Sequence, residues 1–161
     1  MTSAQESRIV VEREVAADAA TVFGLLADPR RHPEIDGSGT VRAAAGTRPI
    51  TAAGQSFVMD MDLTAVGHPE LSDYQTENHV VEFAPGERLA WATARRGQTP
   101  PGVRWSWSLH PAGPGRTRVV HTYDWSAVTD PAVLARISFP RIPADRLAET
   151  LVRLAAAVEE R

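Results

Sequence analysis

The chain contains no cysteine and no lysine. Without cysteine there are no disulfides and no thiolate metal sites. Without lysine, all 17 basic residues are arginines, and they are scattered against 20 acidic residues for a net charge of -3. No patch is concentrated enough to neutralise a row of phosphates, so nucleic acid is not an expected partner. No apolar run approaches the roughly 18 residues that would span a membrane. Met1–Ser7 is polar and lacks the apolar stretch of a secretion signal, so a cytoplasmic location is expected. A phosphate-cradling glycine loop and a G-x-S-x-G elbow are both missing, which sets aside nucleotide-dependent and hydrolase chemistry. His32-Pro-Glu34 and His68-Pro-Glu70 fall in turns, and the histidines do not match a ligand spacing. Neither a metal nor a cofactor is expected. A length of 161 residues predicts one domain, 1–161, large enough to bury roughly two thirds of its unfolded surface.

Aromatic residues are also scarce, at 6% of the chain, yet three of the four tryptophans fall within Val103–Trp125. This stretch reads as two strands joined by the turn Ala112-Gly-Pro-Gly115. Side chains alternate across a strand, so Val103, Trp105, Trp107 and Leu109 share one face. On the returning strand Val119, His121, Tyr123 and Trp125 share a face in the same way. A sheet surface so wide and aromatic must be covered by another element or by a ligand.

Before the hairpin, Arg8–Val15 alternates as a first strand. Asp18 offers an N-cap to a helix with Val22, Phe23, Leu25 and Leu26 on one face, and Asp28-Pro29 ends it. Pro29–Ile35 predicts a second short helix. Strands are expected at Thr40–Ala45, Gln55–Ala65, Tyr74–Ala84 and Arg88–Arg96. After the hairpin, Ala132–Ile142 is an irregular or short helical crossing. Ala144–Glu160 then repeats Leu147, Ala148, Leu151, Val152, Leu154, Ala155 and Val158 at helical spacing, a helix of about 17 residues that covers the sheet.

Two sets of residues could carry chemistry. His121 and Tyr123, at i and i+2 of a strand, point the same way, roughly 6.5–7 Å apart. A histidine near its ordinary pKa can relay protons and a tyrosine can donate to a carbonyl; the alternative is a hydrogen-bonded structural histidine. Asp60 and Asp62 share a face too, but Phe57, Met59 and Met61 claim the inner side and leave the aspartates to solvent.

The element order and the stretches Ala17–Pro29, Arg31–Glu34, Gly54–Phe57, Val81–Trp91, Trp105–Leu109 and Gly115–Trp125 resemble the START-like (SRPBCC) superfamily, in its polyketide cyclase/dehydrase branch. The resemblance implies an α+β helix-grip fold: a curved six- to seven-stranded antiparallel sheet around a long C-terminal helix, with two short helices after the first strand. It also implies a cavity between sheet and helix for a hydrophobic, aromatic or polyketide-like molecule. Phe57, Met59, Met61, His79, Val81, Trp91, Trp105, Trp107, Trp125, Leu147 and Leu151 are the expected contacts, with His121 and Tyr123 as catalytic candidates. A tryptophan common in the family near Ile35 is missing, which would reshape the cavity rim. Three functions fit: a small-molecule carrier, a polyketide cyclase or aromatase using His121 and Tyr123, and a regulatory or stress-response sensing module. The superfamily shares a scaffold and no catalytic motif, so whether the chain is an enzyme stays open, as does monomer against homodimer.

Overall fold

The computed structural model describes residues 6–46 and 48–159. Strand β1 (Arg8–Val15) leads into helix α1 (Ala19–Leu26), whose first turn is capped by Asp18 accepting from the Thr21 amide at 2.9 Å. A 3-10 turn at Pro29–Arg31 runs directly into a single helical turn, α2 (His32–Ile35). The meander follows as β2 (Val41–Ala45), β3 (Ser56–Met61), β4 (Tyr74–Ala84), β5 (Arg88–Arg95), β6 (Val103–Pro111) and β7 (Thr117–Asp124). All pairings are antiparallel, in the order β1-β7-β6-β5-β4-β3-β2, so the first strand closes against the last.

β3 stops at Met61, four residues short of the expected Ala65. The chain there bends through 3-10 turns at Thr64–Val66 and Pro69–Leu71, held by the Leu63 amide on the Leu71 carbonyl at 2.9 Å. The crossing after β7 holds a helix shorter than expected, α3 (Pro131–Arg136).

Helix α4 (Ala144–Glu159) lies across the sheet, burying Leu147, Thr150, Leu151, Leu154 and Ala155. Ala148 and Val152, expected on this face, turn outward, and Thr150 takes an inward place. Its hydroxyl explains the exchange: Oγ1 accepts from the Gly37 amide at 2.9 Å and donates to the Arg146 carbonyl at 3.2 Å. Gly37 sits so close that a Cβ there would lie 2.6–2.7 Å from α4 backbone atoms, so only glycine fits. A seven-stranded antiparallel sheet curved around this helix, with the short helices at one end, is the α+β helix-grip fold. Among the described residues, no helix is long and apolar enough to cross a membrane.

Candidate functional site

The sheet–α4 interface is filled at one half and open at the other. In the filled half, Val22, Leu25 and Leu26 of α1 pack with Leu89, Leu109, Val119 and Leu154, all 5% exposed or less. The open half keeps a cavity of about 580 Å³, within the range of small-molecule sites. Trp91, Trp105, Trp107, His121 and Tyr123 form its floor; Leu147 and Thr150 of α4 face them. Phe57, Met59 and Met61 of β3 supply one wall. Val133, Ile137, Phe139 and Ile142 of the crossing segment supply another.

The floor is a set of directly opposed cross-strand pairs. Trp105 stands opposite Tyr123, their rings stacked at 4.1 Å and 2°; Trp107 stands opposite His121, stacked at 3.7 Å and 15°. On the far side of Trp105, Trp91 occupies the same rung and stacks against His32 of α2 at 5.4 Å, with the Phe57 edge closing the cluster. Such pairs stabilise the sheet beyond their buried area.

Both histidines are neutral at physiological pH. His121 Nδ1 lies 3.0 Å from the Ser106 carbonyl, which only an N–H can satisfy, so Nε2 carries the lone pair. Burial lowers its pKa to about 4, against smaller upward pulls from that hydrogen bond and from Asp36. His32 is the mirror case: Nε2 donates to the Leu26 carbonyl at 2.8 Å, Nδ1 is the acceptor, and burial again lowers the pKa. Among the described residues neither free nitrogen meets a protein donor.

The other polar groups divide into engaged and available. Asp36 lines the cavity, but its carboxylate accepts from the Ser38 amide and hydroxyl and from the Thr40 and Val41 amides at 2.7–3.0 Å. It shapes the loop and has little left for a ligand. Asn78 is likewise held, donating to Phe57 O and Thr76 Oγ1 at 3.2 Å and accepting from Thr93 Oγ1 at 2.8 Å. Tyr123 Oη accepts from the Arg141 amide at 3.3 Å and keeps its proton for another partner. Burial raises its pKa, and burial pushes that of Tyr74 up to about 12, partly offset by Arg141 and Arg95. Arg95, Arg136 and Arg141 all line the cavity, with Arg95 5.3 Å over the Tyr74 ring. No group of three or more potential ligands capable of holding a metal occurs among the described residues.

Comparison with known proteins agrees with this geometry. Residues 6–159 match the family described as "Polyketide cyclase / dehydrase and lipid transport". The chain belongs to this family. It is 36% identical over 127 residues to the uncharacterized protein Rv0088 of Mycobacterium tuberculosis, covering 79% of this chain and 51% of that one. The chain thus spans about half the length of the curated relatives it matches. Among solved structures, protein CV1439 from Chromobacterium violaceum superposes with a TM-score of 0.68 at 16% identity, covering 97% of this chain and all of that one. DynU16, from the dynemicin biosynthetic locus, gives 0.59 at 18% identity over 96% of this chain and 48% of that one. These two likenesses concern the fold.

Against the cavity of this polyketide cyclase/dehydrase family member, the expected contacts sort cleanly. Phe57, Met59, Met61, Trp91, Trp105, Trp107, His121, Tyr123 and Leu147 are on its surface. Four others are not. His79 and Val81 face outward, His79 beside Glu77 at 3.7 Å and Val81 38% exposed. The cause is a β-bulge between Val80 and Glu82: one extra residue resets the alternation, so Phe83 faces inward while His79 and Val81 do not. Leu151 sits in the filled half. Trp125, one residue beyond β7, stacks on Phe139 at 5.9 Å behind the cavity wall. Asp60 and Asp62 do lie outside, bonded to Gln75 at 2.7 Å and Arg42 at 2.9 Å.

Sequence reasoning missed His32, Tyr74, Thr76 and Asn78. The last three follow from the phase of β4 once Val80 is taken as inward. His32 had no such signal, because it reaches the cavity from a single helical turn.

Proposed function

We propose that the chain is a single START-like ligand-binding domain, 1–161, that takes up a hydrophobic aromatic or polyketide-like molecule between the sheet and α4 in the cytoplasm. The observation that carries this reading is the unfilled, aromatic-floored cavity of about 580 Å³. The family description, with its polyketide and lipid-transport terms, supports it, as does the name of DynU16's locus. Ile35 lines the cavity and is 3% exposed, so Ile35→Trp should intrude on the space. Displacement titrations with the dye 1-anilinonaphthalene-8-sulfonate should then show at least a tenfold loss of affinity with the circular dichroism unchanged. Equal affinity in both proteins would rule out this cavity as the binding site.

A second reading, polyketide cyclase or aromatase, is favoured by the His121 lone pair and the Tyr123 hydroxyl on neighbouring rungs of one cavity. A nitrogen with a pKa of about 4 is a weak base at neutral pH, so binding is the primary role. If His121→Ala leaves the folding pattern of a poly-β-ketone chain unchanged from wild type, this second reading fails.

A further inference from the structure

The cavity is polar in opposite senses at its two ends. Around the rung that holds Leu89, Trp107 and His121, and beside Trp91, the available polar atoms are acceptors: His121 Nε2 and His32 Nδ1. Each histidine has its other nitrogen committed to a backbone carbonyl and its ring fixed by stacking on a tryptophan, so neither can turn to offer a proton. A ligand with only carbonyl oxygens at this end would leave two buried lone pairs facing further lone pairs, an arrangement that loses affinity. A ligand hydroxyl would satisfy one of them.

Toward the other end the available atoms are donors. Six residues along β5 take the chain from Leu89 to Arg95, roughly 20 Å at about 3.4 Å per residue. There Arg95 lies over Tyr74; between the two ends, one rung from His121, the Tyr123 hydroxyl takes the Arg141 amide. Of the other arginines, Arg42 is paired with Asp62 at 2.9 Å, Arg116 with Glu14 at 2.6 Å and Arg118 with Glu12 at 2.8 Å. Among the described residues, Arg95, Arg136 and Arg141 have no carboxylate within ion-pair distance. Glu70, which also lines this end, lies 3.5 Å from His68. Arg95 and Arg141, both close enough to the Tyr74 phenol to pull its pKa down against burial, make this part of the cavity suit an anionic oxygen group, which guanidinium can bind through paired hydrogen bonds.

We infer that the ligand is a hydroxylated aromatic acid, held with a phenolic or enolic hydroxyl toward His121 and His32 and a carboxylate toward Arg95 and Arg141. This assignment rests on the binding reading above and deepens it by fixing the ligand's end groups and direction. It gives His121 a part that suits a neutral imidazole: accepting a hydrogen bond and rejecting ketone-ended competitors.

Three matched probes, long enough to bridge the two ends with an extended arginine side chain, test it without any variant: 4′-hydroxystilbene-4-carboxylic acid, its methyl ether 4′-methoxystilbene-4-carboxylic acid, and the methyl ester of the hydroxy acid. Calorimetric titration at pH 7 should find the hydroxy acid at least tenfold tighter than either derivative. Arg95→Met, at an exposed position where folding is not at stake, should remove most of the preference for acid over ester. Affinities within threefold for all three probes would overturn the assignment while leaving the hydrophobic cavity standing. Failure of all three probes and of 1-anilinonaphthalene-8-sulfonate to bind would overturn the binding reading along with it. A preference for the ester in wild type would reverse the direction proposed.

Discussion

The two halves of the sheet–α4 interface share one sheet and one helix, yet one is a core and the other a cavity. In the filled half, α1 lays Val22, Leu25 and Leu26 into the space between β6 and α4, and aliphatic side chains interlock. In the open half, α3 reaches only the rim, with Val133 and Arg136 on the cavity wall. The boundary is made by the single turn α2, the loop at Asp36–Thr40 and the crossing segment around Ile137–Ile142. The inward residues there are flat rings stacked on one another, which satisfy their faces mutually and leave edges and ring nitrogens to the cavity. A sheet can therefore be covered without being filled. What decides the outcome is whether its side chains find partners within the sheet or must seek them in the helix.

This contrast can be broken most strongly from the filled side. Leu154→Ala removes a fully buried side chain from close packing and should cost about 4 kcal/mol, seen as a lower urea midpoint at unchanged slope. Acidification tests the open side. Unfolded histidine takes up a proton near pH 6.5, whereas folded His121 resists until about pH 4. The unfolded state binds more protons in that window, so stability should fall as pH drops from about 6.5 to 4, by about 3 kcal/mol for this group. His32 adds a loss in the same direction. Denaturation midpoints measured against pH should show that slope in wild type and a shallower one in His121→Phe. Leu147→Ala, on the same helix but at the cavity, should cost only about half as much as Leu154→Ala, because it enlarges an existing space. Equal losses for the two leucines would mean that the halves do not differ in packing. Val152→Ala, 44% exposed on the outer face of α4, should change thermal stability by no more than about 0.5 kcal/mol.

Much of the fold was legible because single residues carried clear instructions. The apolar alternation of Arg8–Val15, the Asp18 cap and the Pro29 stop each define an element from nearby residues alone. The aromatic floor was legible for the same reason, since Trp105, Trp107, His121 and Tyr123 alternate without interruption. Legibility failed where a non-local contact decides. The bulge at Val80/Glu82 depends on pairing with β5, and it moved His79 and Val81 to the solvent face. Thr150 turns inward because Gly37, far away in sequence, offers it an amide. His32 joins the cavity only because α2 docks against β2 and α4. Its ring then meets Trp91 and Phe57, a meeting that no spacing announces.

The stack of Trp105 on Tyr123, 4.1 Å apart and 2° from parallel, has a consequence in light. Two chromophores locked at that distance couple electronically, so this pair should contribute to the near-ultraviolet dichroism of the chain. Because the pair is part of the cavity floor, any guest that settles on it perturbs that signal directly. A change in that signal on adding a ligand would report occupancy without a dye or a label.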